Sequence, residues 1–221
     1  MTRAAAPSPC AEEPRVQSLR TIARLNRPGR FRPEVHLVEV ESDSGPFRAV
    51  LKDFGRLEIP RAARVFLASR EAKAYSALAG VEEVPRLLAR PGPAALLLEW
   101  RDALPLLPGS ATLLGEAFFD DLSVAVARIH ERGVVHLDLR ERRNVLVDRS
   151  GRPVIVDFTA SLVAGRRSPL RIAARLLRVL DRAAVLKHRR RLRPAGMTVR
   201  DRLAERFFGA LGRLWRAVRL H

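Results

Sequence analysis

Short apolar runs separated by turn residues fill the first hundred positions, and longer helical spacings take over after them. Val35-His-Leu-Val-Glu-Val-Glu41 alternates apolar and polar side chains, the period of a strand with one buried face. The turn formers Ser42-Asp-Ser-Gly-Pro46 divide it from a second strand, Phe47 to Phe54. From Ala62 to Leu78 the pattern becomes helical, with Val65, Phe66, Ser69, Ala72 and Tyr75 near one face. Leu87-Leu88 and Ala94 to Leu98 read as two further strands, divided by Arg-Pro-Gly-Pro. Thr112 to Arg132 predicts a helix carried by Phe118, Leu122, Val126 and Ile129. The β-branched runs Val134–Val135 and Val154–Val156 predict buried strands, the second entered through the turn Asp148-Arg-Ser-Gly-Arg-Pro153. Beyond Leu162 only helical patterns remain, and residues 1–17, rich in Ala, Pro and Ser, read as disordered. Strands with one helix, followed by helices with a short hairpin, predict an α+β arrangement of two unequal lobes, 18–100 and 101–221.

A chain of 221 residues with 47% hydrophobic content can bury one sizeable core or two small lobes sharing a cleft. No run approaches the roughly 18 apolar residues of a membrane span. The first ten residues lack the apolar centre of a secretory signal, and Cys10 is the only cysteine, so a reducing, cytoplasmic setting is expected. The net charge of +17 is unevenly placed. From Phe158 to His221 there are 17 basic residues against Asp181, Asp201 and Glu205, whereas the first 157 residues carry 24 basic and 21 acidic groups. A GC-rich genome accounts for 38 of the 41 basic residues being Arg, but not for their clustering. A nearly neutral body joined to a basic tail points to an anionic partner.

Candidate chemistry lies between Gly133 and Phe158. His136-Leu-Asp138 follows one predicted strand, Asn144 comes six residues later, and Asp157-Phe158 closes another strand. Polar groups at strand ends are fixed on a rigid frame. Upstream, Arg48-Ala-Val-Leu-Lys52 places a lysine on a strand, and Glu71 follows on the predicted helix 19 residues later. Singly, each has an ordinary reading: a strand lysine is solvated, a helix glutamate lies on the surface, and an aspartate after a strand caps a turn.

In this order and at these separations, the residues resemble the protein-kinase-like fold in a small bacterial form, similar to the lipopolysaccharide-core sugar kinases and the RIO-like kinases. The resemblance implies ATP and Mg2+ as cofactors. Lys52 would meet the α/β-phosphates and Glu71 would orient it; Asp138 would accept the acceptor hydroxyl's proton; Asn144 and Asp157 would hold magnesium. Val50 and Leu146 would form the roof and floor of the adenine pocket, Glu99-Trp100 the hinge, and His136 and Phe158 the packing beneath the site. Several positions depart from the family pattern. Five residues, Leu139 to Arg143, separate Asp138 from Asn144 where the family has four. Thr159 stands where the family has glycine, and Val50 replaces a small alanine. The glycine-rich phosphate loop is reduced to Asn26-Arg-Pro-Gly-Arg30, where arginines would compensate electrostatically.

No Ala-Pro-Glu element follows Phe158, so a peptide-docking platform is not expected. The acceptor implied is a hydroxyl of an anionic, membrane-associated molecule such as a lipopolysaccharide-type sugar. A Ser/Thr protein kinase and a nucleotide-binding pseudokinase are the alternatives. Arg166 to Arg193 carries eleven basic residues interleaved with leucines, and Thr198 with Asp201 has capping-box spacing. The last helix would set Leu203, Phe207, Leu211, Leu214, Trp215 and Val218 on one face and arginines elsewhere. That face either meets an acidic membrane surface or packs on the larger lobe. No nucleic-acid-binding motif accompanies the charge.

Overall fold

The computed structural model describes residues 16–27, 29–43, 45–165, 168–199 and 201–204. Five antiparallel strands open the fold: β1 (Val16–Arg24), β2 (Glu34–Ser42), β3 (Phe47–Asp53), β4 (Leu87–Gly92) and β5 (Ala95–Glu99), in the spatial order β1-β2-β3-β5-β4. Helix α1 (Arg61–Ala77) lies between β3 and β4 in sequence. Side chains alternate across a strand, so Leu97 joins Val38, Val40 and Ala49 on one face of the sheet, while Leu96 and Leu98 on the other meet α1.

The second part begins with β6 (Ala103–Pro105), a 3-10 turn at Pro108–Leu113, and α2 (Phe118–Glu131). Then come β7 (Val134–Val135), β8 (Val145–Asp148), β9 (Pro153–Ile155), β10 (Leu162–Val163) and α3 (Arg171–Leu192). β6, β8 and β9 form one small sheet, and β10 pairs with β7. Phe118, Leu122 and Ile129 of α2, Val145 and Val147 of β8, and Ile155 of β9 continue the same apolar core that holds Leu96, Tyr75 and Leu78. The two lobes therefore share one core.

Several expectations change. β1 is a strand that the chemical pattern left unassigned, and it takes in Val16 and Gln17 of the segment read as disordered; residues 1–15 lie outside the described residues. On α1, Ala72 and Tyr75 face inward as expected, joined by Ala68, Glu71 and Ala74, whereas Phe66 is 62% exposed. A buried glutamate leaves no trace in an apolar pattern, so the inward face extends past the apolar stripe to Glu71. The second helix starts at Phe118 rather than Thr112. Gly115 lies against Gly151 of the β8–β9 turn, where a Cβ on Gly151 (φ 78°) would come within 2.8 Å of the Gly115 nitrogen and the Leu113 carbonyl. That contact holds the chain out of helix until Asp120 and Asp121 can sit in the first turn, where the helix dipole favours them.

Half of the supposed tail is structural. α3 packs on α2 and β7 and buries Ala174, Asp181, Ala184, Val185 and His188. Thr198 and Asp201 form the expected reciprocal cap: the Thr198 amide donates to Asp201 Oδ2 at 2.9 Å, and the Asp201 amide to Thr198 Oγ1 at 3.1 Å. Leu203, placed on the apolar face, is 61% exposed. Phe207, Leu211, Leu214, Trp215 and Val218 lie outside the described residues.

Candidate active site

β3 presents Val50 and Lys52 on one face, since residues two apart along a strand point the same way. Lys52 Nζ donates to Glu71 Oε1 and to Asp157 Oδ1, both at 2.8 Å, and to Thr159 Oγ1 at 2.9 Å. The structure thus joins three sequence-predicted residues from β3, α1 and the loop after β9. Glu71 is fully buried and also accepts from the Phe158 amide at 3.1 Å. The Tyr75 hydroxyl, one helical turn further along α1, accepts from the Asp157 amide at 3.2 Å. Its ring meets Phe158 edge-on, with centroids 5.1 Å apart.

Electrostatics follow from this crowding. Burial works against the Lys52 charge, but Glu71 and Asp157 more than offset it and lift the ammonium above its ordinary value. Burial raises the Glu71 carboxyl against the pull of Lys52, with Asp157 adding to the rise. Burial would also raise Asp157; the Lys52 charge and the hydrogen bonds from Lys52 and Thr159 outweigh it and hold this carboxyl well below the usual range. Burial and the two carboxylates push the Tyr75 hydroxyl well above its usual value.

The loop after β7 carries the second group. Asn144 Nδ2 donates to the Asp138 carbonyl and to Asp138 Oδ2, both at 3.0 Å. The extra residue in this loop is taken up by a short 3-10 turn at Arg142–Asn144, with the Glu141 carboxylate accepting from the Arg143 amide at 3.3 Å. Asn144 therefore still reaches Asp138. Partial burial raises the Asp138 carboxyl, opposed by the Asn144 hydrogen bond and by His136. His136 Nε2 donates to the Val156 carbonyl at 3.0 Å and its Nδ1 accepts from the Asp138 amide at 3.3 Å, tying the two loops together. With Phe158 at 4.7 Å between ring centroids, His136 has the packing role expected of it.

Among the described residues, two non-glycine residues take left-handed backbone conformations, Leu137 (φ 68°) and Asp157 (φ 65°). Such positions cost about 1–3 kcal/mol and persist where surroundings over-determine them. Asp181 of α3 does this for Leu137. Its carboxylate accepts from the His136 and Leu137 amides, both at 2.8 Å, and from His130 Nε2 at 2.9 Å. From behind, His188 Nε2 donates to the Leu139 carbonyl at 2.8 Å. Sequence reasoning missed Asp181 as a site residue, because one acid among many arginines reads as a surface counterion. It also missed Tyr75 and the Thr159 hydroxyl; the departure from glycine at 159 was the available signal.

The remaining predicted residues surround this centre. Leu146 is half-buried on β8 between the buried Val145 and Val147, so it faces away from the core they fill. Val50 is half-buried and packs on the shared core. Glu99 ends β5, and its carboxylate accepts from the Arg86 amide at 3.1 Å and pairs with Arg101 at 3.2 Å. The Glu99 carboxylate and amide are thus both engaged within the protein, the amide by the Arg86 carbonyl at 2.9 Å. The arginine loop Asn26–Arg30 does join β1 to β2. Asn26 closes it, donating to the Pro33 carbonyl at 2.8 Å and accepting from the Val35 amide at 3.0 Å. Arg30 is committed to Glu58 at 2.7 Å.

No protein-family model matches the chain, and no curated protein matches it in sequence. Solved structures do match. The Rio2 kinase–ADP/Mg2+–phosphoaspartate complex from Chaetomium thermophilum is 20% identical with a TM-score of 0.54, covering 84% of this chain and 61% of that one. The Rio2 kinase from the same organism is 18% identical with a TM-score of 0.56, covering 84% and 63%. The chain spans about three fifths of the length of these two structures. It has the protein-kinase-like fold.

Proposed function

We propose that the protein is an ATP- and magnesium-dependent phosphotransferase acting on a hydroxyl of an anionic acceptor at a membrane surface. The observation that carries this is the meeting of Lys52, Glu71 and Asp157 beside a separately built Asp138–Asn144 pair. The Rio2 complex with ADP and Mg2+ supports the nucleotide and the metal for this fold.

The donor set fits magnesium. Among the described residues, no group of three His, Cys, Asp or Glu side chains could hold a metal unaided. Magnesium is held by one or two carboxylates together with substrate phosphates and water. The hydrogen bonds to the Asp157 carboxylate fall on Oδ1, and among the described residues Oδ2 takes none of them. Asp157 Oδ2 and the Asn144 carboxamide oxygen would hold the ion, which would supply positive charge against the phosphates. Lys52 supplies a fixed positive charge for the phosphates, and Glu71 keeps it in place. Asp138 accepts the proton of the attacking hydroxyl, and Asn144 orients the carboxylate.

The outward face of α3 supports the anionic acceptor and the membrane. Ile172 and Leu176, one helical turn apart, are 73% and 70% exposed. Arg175 and Arg182 stand exposed beside them. At about 100° per residue, Ile172 lies on the side of the helix opposite Asp181. An apolar ridge flanked by arginines suits an acidic lipid surface. Leu177, on the inward side of the same helix, and Leu137 both pack against the cluster of Val135, Ala164 and Ala174, so α3 backs the loop that carries Asp138. Among the described residues, no helix is long and apolar enough to cross a membrane.

Incubation with labelled ATP, Mg2+ and separated lipid, sugar and protein pools tests the reading. Label is expected in an anionic lipid or sugar fraction. Label in protein alone would turn the assignment to a protein kinase, and nucleotide binding without transfer to any pool would turn it to a regulatory module. Acidic vesicles should bind the protein better than neutral ones and release it as salt rises, because exposed charges are screened over about 8 Å at physiological ionic strength.

A further inference from the structure

Thr159 sits in the densest hydrogen-bond cluster of the site. An ammonium carries three hydrogens, and those of Lys52 are spent on Glu71 Oε1 and Asp157 Oδ1 at 2.8 Å and on Thr159 Oγ1 at 2.9 Å. Two of these acceptors are carboxylates and the third is a neutral hydroxyl. All three bonds have a charged donor, but only the two carboxylates add Coulomb attraction from the acceptor side, so the hydroxyl is the partner a phosphate oxygen displaces. The same Oγ1 lies 2.7 Å from Asp157 Oδ1 and 2.8 Å from Glu71 Oε2, and its single hydrogen goes to one of them at a time. The residue is itself held from both sides. Arg70 donates to its carbonyl, and its amide donates to Asp157 Oδ1 at 3.3 Å.

We propose that Thr159 is a positioning residue with two tasks. Its hydroxyl keeps the third hydrogen of Lys52 until a nucleotide phosphate takes it, and it ties down Asp157 Oδ1 so that Oδ2 is the oxygen offered to magnesium. Nucleotide entry is then an exchange, hydroxyl for phosphate oxygen on one ammonium hydrogen. A glycine at this position would leave both tasks undone. The inference rests on the nucleotide reading above, and the measurement separates the two.

Calorimetric titration of the full chain with ADP, with Mg2+ and with chelator, reads both tasks. Thr159→Val keeps the shape and removes the hydroxyl, which leaves a buried ammonium hydrogen without an acceptor in the free protein. Because an unsatisfied buried donor is relieved by ligand, metal-free ADP should bind about fivefold tighter or more to this variant than to wild type. The improvement that Mg2+ brings should shrink by a comparable factor, because Asp157 has lost its bond from Oγ1. Thr159→Ser restores the hydroxyl and should return both quantities to wild-type values. A Val variant that matches wild type under both conditions, or a Ser variant that behaves like Val, overturns the role given to Thr159. If thermal unfolding shows that Val does not fold, Thr159→Ala undergoes the same titration with the same expectations. Wild-type protein without affinity for ADP in either condition removes the nucleotide reading, and Thr159's role with it.

Discussion

The two acidic loops of the site are built in opposite ways. Asp157 is over-held: Lys52 and Thr159 converge on one of its oxygens, α1 supplies Tyr75 to its amide, and its carboxyl is driven well below its usual range. Asp138 is under-held. Among the described residues its side chain accepts from Asn144, and partial burial moves its carboxyl upward. Its loop is fixed instead through the backbone, where Asp181 grips the His136 and Leu137 amides. A group that keeps a permanent charge for a cation needs clamped oxygens. A group that must take up and release a proton needs a fixed position and a carboxyl closer to neutrality.

The largest effect should come from removing the grip on the second loop. Asp181→Ala leaves two amides and the His130 ring nitrogen without their buried acceptor, and each buried donor left unsatisfied costs about 1–3 kcal/mol. Denaturant titration should show that loss, together with loss of transfer. Asp181→Asn sharpens the point, because its amide hydrogens face groups that are themselves donors, so equal shape should not restore full stability. An alanine variant as stable as wild type would mean that Leu137 holds its left-handed conformation by other means.

Next come the two carboxylates themselves. Asp157→Ala should reduce ADP binding in Mg2+ to the level measured with chelator. Asp138→Ala should leave that binding within a few-fold of wild type and lower transfer by about 100-fold or more, the usual worth of a general base. If both variants lost nucleotide equally, the division of labour between the loops would be wrong.

The smallest effect concerns His188 behind the second loop. Burial, offset in part by the bond to the Leu139 carbonyl, holds this imidazole below its ordinary value of 6.5. The folded state therefore binds fewer protons here than the unfolded chain. The resulting stability is present above 6.5 and is lost as pH falls through the folded-state value. Melting temperature should drop between about pH 7 and pH 5. In His188→Gln, which can still donate to Leu139 and does not titrate, that drop should be shallower.

Lys52, Glu71, Asp138, Asn144 and Asp157 were legible because each belongs to a short local pattern and their order along the chain is informative. The lobes were legible for the same reason, through strand alternation and turn residues. β1 was not, because it lies at the edge of the sheet and pairs only with β2, so its residues stay largely exposed and show no buried face. Glu71 as a buried residue, Asp181 and the Thr159 hydroxyl were invisible for a deeper reason. Glu71 and Asp181 are buried by partners far away in sequence, and Thr159 reaches Lys52 and Glu71 across 107 and 88 residues. No short window of the chain contains both halves of these contacts.

That distance has a consequence in time. The Leu137 and His136 amides reach Asp181 across 44 and 45 residues, and Lys52 reaches Asp157 across 105. Contacts of such separation form only after loop-closure entropy has been overcome, which makes them late events in folding. During synthesis, the whole motif from His136 to Asp157 leaves the ribosome before the carboxylate that shapes it. A nascent chain ending short of α3 thus contains every residue of the signature but lacks the carboxylate that grips the His136 and Leu137 amides. The Asp138 loop is completed by an element made after it.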